Sequence, residues 1–138
     1  MMARLAALLV ALPLFVAAGT AGAQGKLEMF YLAAPDCPYC QHWESQTRDS
    51  FLASPESKAV KYVEIRGETL RRPIDRQHYP AEYLWVFEQV GPSRGVPRFL
   101  LAVDGKVVIS AYGTGGFTDK FLPALREAIA KRQSMEKT

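Results

Sequence analysis

Cys37 and Cys40 are the only two cysteines of this 138-residue chain, and only Pro38 and Tyr39 separate them. Two sulfurs at that spacing can close a small disulfide ring and open it again, provided one is exposed enough to attack a partner. Pro38 stiffens the loop and fits the first turn of a helix. With Cys37 at the N-cap, its sulfur faces unpaired backbone N–H groups and the positive end of the helix dipole. Both favour thiolate, the nucleophile of disulfide exchange. Cys40 falls one helical turn on, placed to attack a mixed disulfide held by Cys37. The spacing therefore names Cys37 as candidate nucleophile and Cys40 as candidate resolving thiol.

A bare Cys-x-x-Cys has rivals. A structural zinc site wants four ligands, and the remaining strong nitrogen donors are His42 and His78. His42 lies two residues past Cys40, an offset that turns it off the cysteine face of a helix. No metal is expected. Covalent haem attachment needs histidine at position 41, which is Gln41. Iron–sulfur ligation would draw further cysteines from another chain. An inert structural disulfide stays open, although so short a loop offers little closure entropy. A metal-binding or redox-silent docking domain is the alternative of a different class.

The N-terminus reads as a targeting segment. Arg4 precedes an apolar run, Leu5 to Val16, too short for a convincing membrane span. Ala21-Gly22-Ala23 supplies an A-x-A cleavage pattern. The reading is a signal peptide over residues 1–23 and one domain over residues 24–138, exported to the periplasm. An uncleaved anchor is the alternative. Removing 23 residues from 138 leaves 115, enough for one compact domain and too few for two. One basic residue goes with them, leaving 16 against 14 acidic. So mild a balance points to no nucleic-acid partner, and the cluster Arg66, Arg71, Arg72, Arg76 is read as a solvated loop face. The exported compartment is oxidising, so the state of a lone dithiol must be set by another system.

The chain alternates strand and helix signals. Lys26 to Ala33 reads as a buried strand and Pro38 to about Ala53 as a helix with Cys40, Trp43, Thr47 and Phe51 on one stripe. Ser54-Pro55-Glu56-Ser57 is expected to end that helix. Val60 to Ile65 alternates as a strand, Arg66 to His78 is irregular, and Ala81 to Val90 reads as a largely buried helix. Arg98 to Val103 and Lys106 to Tyr112 form a hairpin about Asp104-Gly105. Gly113 to Gly116 is expected to close it off, before a last helix from Phe117 to about Lys131. The order β-α-β-α-β-β-α gives an α/β fold: a mixed sheet of about four strands flanked by helices, its first two strands parallel through a right-handed crossover.

With the Cys-x-x-Cys opening the first helix after the first strand, and Gly95-Val96-Pro97 leading into the hairpin, the chain resembles the thioredoxin-fold family. The resemblance spans essentially all of the mature chain. It implies that Pro97 is the cis-proline facing the active site and that Val96 offers backbone N–H and C=O to an extended substrate, as in strand addition. Pro35 to Cys40 is similar to the small periplasmic thioredoxins with Pro-x-Cys-Pro-Tyr-Cys, one of which serves bacterial sulfur oxidation by keeping a carrier thiol reduced. The tetrapeptide is also similar to that of glutaredoxins. Gly115 to Asp119 resembles their glutathione turn, but reads more simply as a strand-to-helix turn with Thr118 or Asp119 near the helix start. One departure stands out. Thioredoxins keep a buried Asp six residues before the first cysteine, and here that position is Tyr31. Glu44 could take its place as a base, although its position favours a solvent-facing carboxylate. Asp36 sets negative charge beside Cys37.

The expected activity is thiol–disulfide oxidoreduction, with reduction favoured over oxidation. Cys37 and Cys40 would carry the chemistry, and Pro38, Tyr39, Val96 and Pro97 would contact substrate. No dissociable cofactor is implied beyond the dithiol itself. Expected partners are protein thiols or disulfides and an electron-donor protein, such as a membrane thiol transporter. Nothing demands more than a monomer. An oxidant that donates its disulfide to exported proteins is the alternative within the class.

Overall fold

The computed structural model describes residues 26–138, so the targeting segment and its cleavage site lie outside the described residues. Strand β1 (Leu27–Ala33) is buried along its whole length. It reads LEMFYLA rather than alternating because both faces of the sheet are covered. β2 (Lys61–Arg66) pairs parallel with β1, and β3 (Arg98–Val103) pairs antiparallel with it on the other side. β4 (Lys106–Tyr112) closes the sheet in the order β2-β1-β3-β4. Asp104 and Gly105 take positive φ values of 52° and 77°, which two-residue hairpin turns of this hand require.

The first helix, α1, runs over residues 38–52. It is α-helical over Pro38–Trp43, passes through a π-helical turn at Glu44–Arg48, and is α-helical again over Asp49–Leu52. Ser54 does not simply end it: its hydroxyl accepts the Ser57 N–H and caps a short helix, α2 (Pro55–Lys58). The irregular stretch after β2 contains a helical turn at Arg76–His78, closed by an Asp75 capping box in which His78 takes part. A tight turn at Ala81–Tyr83 leads into α3 (Leu84–Val90).

The last helix differs most from expectation. Instead of a glycine loop followed by a helix at Phe117, α4 begins directly after β4 and runs over residues 113–136, with a π-helical turn at Phe117–Phe121. Gly113 makes the junction with φ of 73°, and its N–H donates to the Pro97 carbonyl at 2.9 Å. The strand-to-helix turn placed at Thr118 and Asp119 is thus one turn too late. Thr118 bonds back to the Thr114 carbonyl inside the helix.

Side-chain alternation divides the core in two. Met29, Tyr31, Phe99 and Leu101 meet α1 and α4 through Trp43, Phe51, Phe117, Phe121 and Leu125. Phe30, Leu32, Ile65 and Leu100 meet Tyr83 and Val86 on the opposite face. Among the described residues, no helix is long and apolar enough to cross a membrane.

Candidate active site

Cys37 is the N-cap of α1, with extended backbone at φ −92° and ψ 110°. The Cys40 N–H donates to Cys37 Sγ at 3.0 Å. One of the orphan N–H groups at the helix start is thus spent on the sulfur, which lies at the positive end of the local dipoles. Cys37 and Cys40 are joined as a disulfide with their Cα atoms 5.2 Å apart. The Cys37 N–H returns to the Ala34 carbonyl, and Gln41 Nε2 donates to the Pro35 carbonyl at 2.8 Å, so the loop is held from both sides.

The sequence calls for an exposed nucleophile, yet Cys37 is only 2 % exposed and Cys40 not at all. The disulfide tucks both sulfurs into the α1 face of the core. The groups around Cys37 are open: Asp36 and Pro38 are exposed, and Tyr39 is 68 % exposed.

Val96 and Pro97 come off the same end of the sheet. Arg98 sits opposite Leu32, one residue before β1 ends, so the two preceding residues emerge where the cysteine loop begins. The Val96–Pro97 peptide is cis. Val96 packs against the cluster that contains both cysteines, and its N–H and C=O take part in none of the loop hydrogen bonds.

Asp36 is not simply solvated. Its carboxylate accepts the Thr69 hydroxyl and the Leu70 N–H, the latter at 2.7 Å. The Thr69 bond first, then that from Leu70, hold its carboxyl below the usual range. The tether is therefore intact above the unfolded value of ~3.9 and is lost as pH falls through the lowered folded value. It docks the β2–α3 connection against the redox loop.

Sequence reasoning misjudged the ground beneath Cys40. Tyr31 and Glu64 are register partners across β1 and β2, so both face α1. The Tyr31 hydroxyl lies 3.4 Å from the Cys40 carbonyl and 3.0 Å from Glu44 Oε1. Glu44 is also bonded by Arg66 at 2.9 Å, and Arg66 reaches Glu64 at 2.9 Å. Tyr62 completes the set with a 2.7 Å bond to Glu64. Glu44 is thus a partly buried member of a charged network and not a solvated helix carboxylate. Arg66 belongs to that network and not to a free loop face. Burial, then the Glu44 charge, push the Tyr31 phenol far above its ordinary range, which keeps it a neutral donor. Burial works to raise the Glu64 carboxyl, but bonds from Tyr62 and Arg66 outweigh it and hold the group low. The readable signal was the i, i+4 spacing of Cys40 and Glu44, which sets them on one helix face.

No family model matches the chain, and no curated protein matches it. Among solved structures, the periplasmic thioredoxin SoxS from Paracoccus pantotrophus, in its reduced form, superposes with a TM-score of 0.52. It is 20 % identical, over 76 % of this chain and 97 % of that one. The chain has the thioredoxin fold. A Malassezia sympodialis thioredoxin, Mala s 13, aligns at a TM-score of 0.48 and 17 % identity, over 78 % of this chain and 77 % of that one. Within this thioredoxin fold, the Cys37–Cys40 pair sits after the first strand described and opens the first helix.

Proposed function

We propose that this protein is an exported thiol–disulfide oxidoreductase that reduces disulfides in other proteins. The observation that carries the reading is Cys37 Sγ seated at the α1 N-cap, bonded by the Cys40 N–H and disulfide-linked to Cys40. In the reduced protein the Cys37 thiolate attacks one sulfur of a substrate disulfide. A mixed disulfide forms, and the other substrate sulfur leaves as a thiolate that takes a proton. The Cys40 thiol then gives up its proton and attacks Cys37 Sγ. The second substrate thiol is released and the Cys37–Cys40 disulfide remains, two electrons having passed to the substrate. An electron-donor protein bearing a dithiol restores the reduced state. No dissociable cofactor enters.

Pro38 and Tyr39 meet the substrate beside Cys37, and the free N–H and C=O of Val96, with Pro97 behind them, take an extended substrate backbone. Export rests on Arg4, the apolar run and Ala21-Gly22-Ala23. The reduction potential of the cysteine pair, measured in defined thiol buffers, tests the direction. A value at or below about −220 mV supports the reductase, and one near about −120 mV would make the protein an oxidant instead.

Glu44 takes the Cys40 proton, directly or through one water, with the Tyr31 hydroxyl and Arg66 fixing its carboxylate. Glu44→Gln is expected to slow release from the mixed disulfide by about 10²-fold at neutral pH, the usual order for a positioned base. Release should then quicken with rising pH as hydroxide takes over. Rapid-quench measurement of mixed-disulfide decay against pH is the check, and an unchanged decay removes Glu44 from the mechanism.

A further inference from the structure

Arg98 is only 7 % exposed, yet among the described residues no carboxylate lies within ion-pair distance of it. Neither terminal nitrogen is a buried atom left without a partner, so the outer edge of the guanidinium stays open to solvent. Its Nε–H donates to Ser110 Oγ at 2.9 Å, and its guanidinium stacks 5.0 Å from the Tyr112 ring centroid. Register places Arg98 directly across from Tyr112. The ring is backed by Gly95, where a Cβ would come within 3.0 Å of two ring carbons. The planar group is thus clamped in place. A guanidinium carries five N–H donors, and Ser110 takes the only bond that the Arg98 side chain makes to a described residue.

Arg98 lines a groove of about 480 Å³ between the end of α3 and the outer strand β4, with Val90, Val107, Ile109 and Ser110. Among the described residues, no acidic one lines it. Gln89, on its wall, has both ends of its amide spent, on the Gly105 carbonyl and the Val107 N–H. Among the described residues the buried Tyr79 hydroxyl has no partner, and the Arg98 charge is near enough to act on it.

We propose that this groove binds a carboxylate, held by the unused edge of the Arg98 guanidinium. A planar fork with free donors, a stacked face and no internal counter-ion is the arrangement that takes a carboxylate through two parallel bonds. The binding claim stands apart from the redox reading, whereas the nature of the carboxylate's bearer rests on it. Arg98 directly follows Val96 and Pro97, so the carboxylate belongs either to a polypeptide substrate or to a small peptide thiol such as glutathione.

The test is an amide NMR titration of the intact oxidised protein with sodium acetate, against sodium chloride at matched ionic strength. Saturable shifts at Ser110, Val107 and the Arg98 Nε–H with acetate, and not with chloride, are expected. Arg98→Met and Arg98→Lys should each weaken acetate binding by roughly tenfold or more, since a charge-assisted pair is lost or loses its fork. The wild-type Arg98 Nε–H signal gives an answer even where a variant folds poorly. A hexapeptide acid binding more tightly than its C-terminal amide assigns the carboxylate to a polypeptide, and tight binding of oxidised glutathione assigns it to a small peptide thiol. Equal shifts from acetate and chloride, or an Arg98→Met protein that binds acetate unchanged, would overturn the site. Because no turnover is measured, failure here is separate from failure of the oxidoreductase reading.

Discussion

Cys40→Ser is expected to yield a protein that reacts once with a disulfide and then stays attached to it, whereas Cys37→Ser is expected not to react at all. Both variants should lose turnover by on the order of 10³-fold or more, because the two sulfurs act as a unit. The asymmetry comes from position. Cys37 lies in the helix-capping loop between exposed Asp36 and Pro38, and its sulfur accepts an N–H that stabilises thiolate. Cys40 is fully buried against Trp43 and the Tyr31 face of the sheet. It can reach a sulfur already delivered to Cys37 far more readily than one arriving from solvent. Incubation with a disulfide-bearing protein and separation on non-reducing gels reads the result. Equal trapping by both variants would reverse or erase the roles.

Trp43→Ala should be the most damaging core substitution, at about 3–5 kcal/mol, the usual range for removing a buried aromatic. The Trp43 ring lies 4.5 Å from Tyr31, 5.0 Å from Phe99 and 5.3 Å from Phe117, centroid to centroid. It therefore joins α1, two strands and α4 at one point. Its indole N–H is buried with no acceptor among the described residues, which costs desolvation. Trp43→Phe removes that orphan donor while keeping a ring, and should cost less than about 1.5 kcal/mol. Urea unfolding of the three proteins decides the matter. A Trp43→Phe loss equal to that of Trp43→Ala would mean that ring shape, and not the orphan group, governs the site.

The β3–β4 hairpin was legible in its bounds and its turn, though not in the register shift at Leu101 and Ala102, because local signals agreed: two β-rich runs, one Asp-Gly pair and no competing pattern. β1 was legible for the same reason, and the cysteine loop because Pro38 fixes its helix start. The start of α4 was not, because Gly113 to Gly116 are poor helix formers and only their docking beside Pro97 and Ala111 makes them helical. Glu44 and Arg66 were misplaced for a different reason. They are 22 positions apart in the chain, and their bond exists only once β2 lies beside β1. In the sequence Arg98 is simply the first residue of a strand. Its burial depends on Tyr112 and the Gly95 loop closing over it, which no local pattern encodes.

The π turn at Glu44–Arg48 has a bearing on how this chain could have diverged. A turn closed from i to i+5 holds one residue more than an α turn. It is what a helix keeps when a single codon is inserted and the residues on either side stay docked. Winding the same residues as regular α-helix, with none removed, would rotate everything beyond by about 100°. Cys37 and Cys40 would stay where they are, while Phe51 would swing off Phe117, which it now meets edge-on at 5.4 Å. The redox end of the helix and its anchoring end are thus phased independently, and a one-residue gap belongs here in any alignment with a chain whose first helix is unbroken.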